Sequence, residues 1–201
     1  MARLLSVIIF FIASYLCNGW ADTLEGIQEK AGEIKSVRAD FIQEKHLKIL
    51  SKPLISKGTF YYQATQSLRW EYTSPFQSIL LMHNGKIKRY IKGSEGFMQD
   101  SGVKLQAMQV VLQEIALWLK GQFNDNPNYN AVLEPGPKVV LTPKEKSFAK
   151  IIQRIELLLS NQPGVIKTVC VYENDSSYTK FIFKNVRLNK PLKDSLFQEI
   201  Q

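Results

Sequence analysis

The stretch that most constrains the fold of this chain is residues 58–82, GTFYYQATQSLRWEYTSPFQSILLM. Leu68, Trp70 and Tyr72 alternate with polar residues at the two-residue period of a half-buried β-strand, and a second aromatic run precedes them across a short polar turn. Pro75 then interrupts the pattern because it cannot donate a ladder hydrogen bond, and a third apolar segment follows. Three such antiparallel strands present a large apolar face, which must be covered either by permanent core or by a removable ligand.

Alternation at the strand period continues through most of the chain. An amphipathic helix is expected first, over 22–35, capped near Asp22 or Thr23. Asn84 and Gly85, which both tolerate positive φ, predict a hairpin, and a looser glycine-punctuated segment is expected over 93–102. The predicted strands are 37–50, 55–63, 68–72, 77–82, 86–92, 132–133, 138–142, 151–159, 165–172 and 178–186. This spacing predicts a mainly β (α+β) fold in which an antiparallel sheet curls around helices.

Residues 105–120 interrupt the strands with a helical pattern. Its apolar stripe consists of Met108, Val111, Leu112, Ile115 and Leu119. Trp118 and its apolar neighbours widen the coverage beyond that stripe, so the helix is sandwiched or partly exposed. Two interpretations stay open, a lid over the sheet and a buried plug.

The first 21 residues have the features of an export signal. Arg3 supplies a positive n-region, 4–16 is an almost unbroken apolar h-region, and Gly19 and Ala21 are small residues at the positions that a signal peptidase reads. The apolar run is shorter than the roughly 20 residues that a membrane-spanning helix needs. We therefore expect cleavage of 1–21 as a signal peptide and a single exported domain over 22–201.

Composition narrows the choice of partners. The chain has 26 Lys and Arg against 18 Asp and Glu, and its net charge of +8 falls to +7 without Arg3. Basic residues never run longer than two, which is typical of a solvated basic surface, so we expect no nucleic-acid partner, while an anionic membrane surface or an acidic partner stays open. Cys170 is the only cysteine after cleavage, so no internal disulfide is expected and its thiol is interpreted as a small buried hydrophobe.

The sequence contains no motif for catalysis or metal binding. A nucleophile elbow, zinc-ligand spacing, a phosphate loop and a dinucleotide fingerprint are all missing from it. His46 and His83, its two histidines, have no partner at metal-ligand spacing. Carboxylates such as Asp40, Glu44 and Glu71 lie on predicted polar strand faces and do not indicate a general acid–base pair. We therefore expect no cofactor, no metal and no enzymatic activity.

Motifs spread along nearly the whole exported sequence resemble those of LolA, a family of periplasmic lipoprotein carriers. The first strand is similar to the family's F-x-Q strand, the third to its Trp-containing strand with a following proline, and a later segment to its L-x-P strand. The order and spacing of these pieces carry the resemblance. The matching stretches are VRADFIQ (37–43), SKGTFYY (56–62), LRWEYTSP (68–75), NGK (84–86), LTP (141–143) with 151–159, and FKNVRLNKPLKDSLF (183–197).

The resemblance implies an unclosed antiparallel β-barrel, a strongly curved sheet whose apolar concavity is covered by a helical lid. Such proteins take acylated lipoproteins from an inner-membrane ATP-driven extractor, hold the acyl chains, and deliver them to an outer-membrane receptor. It implies the same partners for this chain, a periplasmic location and a monomeric state. Burial at about 0.8 kcal/mol per CH₂ would hold acyl chains in an apolar concavity.

The candidate lipid-binding residues come from the aromatic strands and the mid-chain helix. For any one of them the alternative is ordinary core, since apolar strand faces are usually packed. They are Phe60, Tyr62, Leu68, Trp70, Tyr72, Leu80 and Met82 from the sheet and Val111, Leu112, Ile115 and Trp118 from the helix.

One departure from the family concerns its lid-latching arginine, which stands six residues before the strand-three Trp and is usually followed by Pro. Here Ala64 and Thr65 occupy those positions, and Arg69 cannot replace the arginine because neighbouring strand residues point to opposite faces. With this departure and with its residues 47–56, the chain also resembles a LolA-like branch associated with glycolipid or aryl-polyene export. The alternatives to a lipoprotein carrier are a carrier of that kind and a noncatalytic periplasmic chaperone or interaction domain.

Overall fold

Eleven strands, each antiparallel to its neighbours, form one continuous sheet in the computed structural model, which describes residues 22–64, 67–100, 114–123, 126–198 and 200. The strand order is β6-β5-β4-β3-β2-β1-β11-β10-β9-β8-β7, and within the described ranges the edge strands β6 and β7 do not pair with each other. The strands are β1 (Ser36–His46), β2 (Leu54–Gln63), β3 (Ser67–Ser74), β4 (Ser78–His83), β5 (Lys86–Gly93), β6 (Gly96–Asp100), β7 (Tyr129–Glu134), β8 (Lys138–Pro143), β9 (Arg154–Leu159), β10 (Ile166–Asn174) and β11 (Ser177–Leu188). The prediction of a mainly β, unclosed antiparallel sheet is confirmed.

The described helical segments lie at the ends and on the faces of the sheet. They are α1 (Leu24–Gly32), the helical residues 114–119, here called α2, and α3 (Lys146–Ala149), with a 3₁₀ helix, Asp194–Phe197, near the C-terminus. Thr23 caps α1 as predicted, because its hydroxyl accepts a hydrogen bond of 2.9 Å from the backbone N–H of Gly26. None of the described helices is long and apolar enough to cross a membrane.

Several element bounds differ from the sequence prediction, and three of these differences have clear local reasons. β1 ends at His46 and not at residue 50, because the backbone N–H of Leu50 turns back to the carbonyl of Leu47. The segment expected to be loose contains β6, which Gly96 joins to β5 at a φ of 113°. β9 begins three residues later than expected, because α3 and the turn after it precede the strand.

The Asn84–Gly85 hairpin is present as predicted, with φ values of 49° and 74°. It joins β4 to β5, and the ladder resumes at once with His83 opposite Lys86. The strong local signal therefore fixed both the turn and the register of the strands on either side.

The two halves of the sheet enclose a common apolar interior. One cluster is built on β1 to β4, and the other on β7 to β10 with Ile27 of α1. Ile115 of α2 and Phe181 and Phe183 of β11 pack against both clusters. The sheet thus curves so that its halves face each other, with α2 between them.

A separate small core covers the opposite, convex face of β3 to β5. Ile79, Leu81 and Tyr90 are buried there and pack against Phe97 and Ile200. Arg69, expected on a polar strand face, is only 3% exposed. Its guanidinium donates to the carboxylate of Glu71 at 2.8 Å and to the carbonyl of Leu196 at 3.1 Å, so the C-terminal segment closes this face.

Candidate functional site

An apolar cavity of about 290 Å³ lies between the two halves of the sheet, next to α2. Strands from both halves contribute to its wall, among them β1, β3, β4, β9, β10 and β11. Besides aromatic rings that carry a polar atom, the described polar side chains that line it are Ser78, Arg89 and Glu114. The cavity is therefore suited to a ligand that is mostly hydrocarbon.

Trp70 is the centre of an aromatic wall on one side of the cavity. Its ring centroid lies 5.2 Å from Phe41 and from Phe60, 5.3 Å from Phe181 and 6.2 Å from Phe183. The pairs are tilted or edge-to-face, the arrangements that aromatic rings prefer. Four strands, β1, β2, β3 and β11, thus place one rigid surface against the cavity.

Two indole N–H groups beside the cavity are buried with no acceptor in good hydrogen-bond geometry among the described residues. They are Nε1 of Trp70, which lies close enough to the Tyr72 hydroxyl to lower the pKa of that group, and Nε1 of Trp118. Both residues line the cavity. A buried donor without an acceptor costs about 1–3 kcal/mol, so a ligand that brought an acceptor to either indole would gain from it.

Burial also acts on the tyrosines of this interior. It raises the pKa of Tyr72 to about 12, although Trp70 and Arg89 act in the opposite direction. The Tyr72 hydroxyl donates to Oε1 of Gln43 at 2.6 Å. Burial raises the pKa of Tyr129 too, and the nearby carboxylate of Glu114 adds to that shift. Both phenols therefore stay neutral at physiological pH.

A buried polar network fixes the beginning of the described part of α2. The carboxylate of Glu114, a residue only 5% exposed, accepts hydrogen bonds of 2.7 Å from Nδ2 of Asn126 and 2.6 Å from Nδ2 of Asn128. Oδ1 of Asn126 in turn accepts from the backbone N–H groups of Asn128 and Tyr129. Bonds to a charged group contribute about 1.5–3 kcal/mol each, so this network holds α2 on the turn before β7.

A glycine fixes the other end of α2. Gly121 has a φ of +66°, and a Cβ at this position would lie 2.6 Å from Cα of Gln28 in α1. Only glycine permits both the left-handed conformation and this approach of two backbones. The helix over the cavity therefore rests on α1 at its C-terminal end.

The structure brings together six of the predicted site residues as lining of the cavity: Phe60, Trp70, Tyr72, Leu80, Ile115 and Trp118. Three others, Tyr62, Leu68 and Met82, are buried in the same cluster but do not line the cavity. They lie toward the end of the sheet where β2 turns into β3. Val111 and Leu112 lie outside the described residues.

The opposite wall of the cavity was missed by sequence reasoning. Ile155 of β9 and Val169 and Val171 of β10 line it, and Phe181 and Phe183 of β11 connect it to the aromatic wall around Trp70. The alternation of Phe181 and Phe183 at a spacing of two was the available signal. Alternation shows that a strand has an apolar face, but not which distant strand that face meets.

Arg69 points away from the cavity, as the strand geometry requires. It binds the carbonyl of Leu196 on the convex face. It therefore cannot take the place of an arginine that contacts α2 across the cavity.

Nothing in the described ranges resembles a catalytic or metal centre. They contain no cluster of three or more His, Cys, Asp or Glu side chains that could hold a metal ion. Glu71 is bound to Arg69, and burial raises the pKa of the Cys170 thiol. His46 stacks on Tyr178 with ring centroids 4.3 Å apart. The chemistry that the geometry supports is binding of apolar groups.

Comparison with known proteins gives a consistent assignment. The family described as "Outer membrane lipoprotein carrier protein LolA" matches residues 32–199. An outer-membrane lipoprotein carrier protein from Pseudoalteromonas translucida (strain TAC 125) is 23% identical over 199 residues, covering 96% of this chain and 91% of the relative. A protein of the same description from Vibrio parahaemolyticus is 23% identical over 193 residues, covering 96% and 89% of the two chains.

Solved structures match the chain at low sequence identity. The complex of MucA and MucB from Pseudomonas aeruginosa matches with a TM-score of 0.50 and 14% identity, covering 88% of this chain and 59% of the other. A LolA superfamily protein from Nitrosomonas europaea matches with a TM-score of 0.46 and 13% identity, covering 88% and 98% of the two chains. Since the family match spans most of the sequence, the chain belongs to the LolA family.

Proposed function

We propose that this protein is a periplasmic carrier that binds the acyl chains of lipoproteins in its cavity and takes them from the inner to the outer membrane. The observation that carries the proposal is the apolar cavity enclosed by both halves of the sheet and α2. Two relatives over most of the chain are outer-membrane lipoprotein carrier proteins, which supports the same role here. The inferred signal peptide, 1–21, would deliver the chain to the periplasm.

The size of the cavity sets a condition for loading. Its volume of about 290 Å³ is roughly twice that of an engineered apolar cavity of about 150 Å³ that stays dry and binds benzene. Several acyl chains therefore need more room than the cavity lined by the described residues offers. Ile115, Trp118 and Leu119 of α2 line one side, so movement of α2 is the way to enlarge the cavity.

Reversible loading requires that the closed form and the loaded form be close in free energy. Each buried CH₂ favours the loaded form by about 0.8 kcal/mol. Separation of Glu114 from Asn126 and Asn128 opposes loading, because two hydrogen bonds to a buried carboxylate are lost. In this chain the hydrogen bonds of Glu114 therefore act as a latch that holds α2 in place.

The two indole donors fit the chemistry of a lipoprotein's lipid. Acyl chains of lipoproteins are joined through ester and amide groups, whose carbonyl oxygens accept hydrogen bonds. Such carbonyls would accept hydrogen bonds from Nε1 of Trp70 and Nε1 of Trp118, which lie beside the cavity. A ligand without any acceptor would leave the Trp118 indole unpaired among the described residues.

The test is loading with a synthetic triacylated lipopeptide, measured by native mass spectrometry after removal of detergent. Ile115→Glu places a charge on the cavity wall and should abolish loading while the far-ultraviolet circular dichroism spectrum stays that of the wild type. Lys120→Glu is the matched control, because it adds a negative charge just after α2 at a residue that does not line the cavity. Equal loss of folding and loading in Ile115→Glu, or loading as in the wild type, would contradict the proposal.

The same experiment separates the alternatives. Preferential loading with a glycolipid or an aryl-polyene lipid over the lipopeptide would assign the chain to that other kind of carrier. A protein that takes up no acyl chain at all would be an interaction domain, with the aromatic wall serving as core.

A further inference from the structure

The tip of the β1–β2 hairpin exposes apolar side chains beyond the body of the protein. We call residues 47–55, the loop and the first two residues of β2, the hairpin tip. Ile49 is 87% exposed, Leu50 41%, Leu54 53% and Ile55 51%. Four large aliphatic side chains exposed together in nine consecutive residues are a surface that a monomer in water does not favour.

The register of the sheet shows that the hairpin tip projects. β3 ends at Ser74, which lies opposite Lys57, so Leu54 extends three residues past the end of that neighbour. At about 3.3 Å per residue this is a projection of roughly 10 Å. On the other side, the backbone N–H of Lys48 reaches the hydroxyl of Ser177 at 3.4 Å, level with the β10–β11 turn. Residues 49–53 therefore extend past both neighbouring strands.

The same end of the sheet carries another exposed apolar side chain. Phe76, 83% exposed, lies in the connection between β3 and β4, which starts next to Lys57. Antiparallel topology places this connection and the hairpin tip at one end of the sheet. The apolar surface is thus wider than a single loop.

Lysines surround this surface, and acidic groups nearby are already paired. Lys48, Lys52 and Lys57 are exposed and form no ion pair with any described residue. On the adjacent turn, Glu173 lies 3.8 Å from Lys45, and Asp175 lies 3.4 Å from Arg154. Residues 47–57 themselves contain three lysines and no acidic residue, so the charge of the hairpin tip and the start of β2 is positive.

We propose that the hairpin tip docks the protein on an anionic lipid bilayer. Ile49 and Leu50 enter the boundary between headgroups and acyl chains, and Lys48 and Lys52 contact lipid phosphates. Exposed aliphatic residues flanked by lysines suit such a surface, because insertion buries apolar area while the cations meet negative headgroups. Phe76 lies on the same end and adds a second point of insertion. This goes beyond cargo binding, since it uses a surface outside the cavity.

The test is co-sedimentation of the exported protein with vesicles of phosphatidylethanolamine and phosphatidylglycerol. Ile49→Ser combined with Leu50→Ser should remove most of the binding. Lys48→Gln combined with Lys52→Gln should weaken it roughly thirtyfold, since each lysine near an anionic surface contributes about 1 kcal/mol. Binding should fall with added salt and be weak on phosphatidylcholine vesicles.

The matched control variants carry the same kinds of substitution at other exposed positions. Met98→Ser with Val132→Ser removes two exposed apolar side chains, 60% and 56% exposed, from the edge strands. Lys190→Gln with Lys193→Gln removes two exposed lysines beyond the end of β11, at the opposite end of the sheet. Both controls should bind vesicles like the wild type.

Failure of this proposal can be told apart from failure of the carrier function. The hairpin-tip variants should still load lipopeptide in detergent, and Ile115→Glu should still bind vesicles. No binding of the wild type to anionic vesicles, equal loss in either control, or loss of vesicle binding in Ile115→Glu would overturn the docking proposal.

Discussion

The two faces of β3 and β4 are almost equally buried but are covered in different ways. Trp70 and Leu80, 6% and 9% exposed, lie on the concave face beside a cavity. Their neighbours Arg69 and Leu81, 3% and 2% exposed, lie on the convex face beneath the C-terminal segment. On the concave face two buried indole donors have no acceptor in good geometry among the described residues, whereas on the convex face Arg69 donates to Glu71 and to the carbonyl of Leu196.

This contrast shows that burial alone does not identify a binding face. The convex face is closed by the chain itself, with polar groups paired, as expected of permanent core. The concave face keeps a cavity and, among the described residues, two indole donors with no acceptor in good geometry, as expected of a face that receives a ligand.

The largest difference is expected between Leu81→Ala and Leu80→Ala. Leu81→Ala should lower the free energy of unfolding by about 2–5 kcal/mol, because it opens a void in a filled core. Leu80→Ala should lie at the low end of that range, because Leu80 already borders a cavity and has fewer packing partners to lose. Urea unfolding measures both. Lipopeptide loading per folded molecule should change only in Leu80→Ala, and the reverse pattern would contradict the assignment of the faces.

Alkaline pH should lower the free energy of unfolding through ionisation of Tyr72 on the concave face. Its pKa is raised to about 12 by burial, against about 10 in the unfolded chain, so the native state holds the phenol proton more tightly. The stability that this provides is complete below pH 10 and is lost as the pH rises through 12, by up to about 3 kcal/mol. Urea unfolding at pH 9 and pH 11 should show a smaller loss in Tyr72→Phe than in the wild type. An identical loss of stability in the wild type and in Tyr72→Phe would mean that ionisation of Tyr72 does not contribute to that loss.

Arg69→Met should lower the free energy of unfolding by about 1–3 kcal/mol, because the carbonyl of Leu196 and the carboxylate of Glu71 lose their donor. Hydrogen exchange should become faster in the 3₁₀ helix, Asp194–Phe197, that the guanidinium holds. Lipopeptide loading should be unchanged. Reduced loading with an intact C-terminal segment would place Arg69 in the binding site.

The smallest effect on stability is expected for Ala39→Leu, and its sign should be opposite. Ala39 is buried and lines the cavity, so a larger side chain fills space and should stabilise the protein by about 0.5–2 kcal/mol. The same side chain occupies volume that the ligand needs, so loading should fall. A variant that is both destabilised and fully able to load would argue that the cavity does not hold the ligand.

Much of the sheet could be predicted from local patterns. Alternation located most strands, Thr23 marked the start of α1, and Asn84 and Gly85 fixed a hairpin. The end of β1 and the presence of β6 were not predicted, because they depend on a loop turn and on pairing with β5. The burial of Arg69 was not predicted either, because it depends on the segment around Leu196, 127 residues away in sequence.

The site was predicted on one wall only. Dense aromatic alternation near Trp70 indicated that wall, and six of the predicted residues line the cavity. The wall from β9 to β11 comes from strands whose partners are set by the curvature of the whole sheet. The Glu114 network could not be predicted, because a single Glu in an apolar helix does not reveal which amides it will meet.

The most direct test of the central claim is photocrosslinking with a triacylated lipopeptide that carries a diazirine in an acyl chain, followed by peptide mass spectrometry. Acyl chains held in the cavity should give adducts on the residues that line it, with Trp70, Ile115 and Phe181 among them. Adducts on Leu81 or Tyr90 of the convex face, or no adduct at lipopeptide concentrations that saturate binding, would contradict that claim.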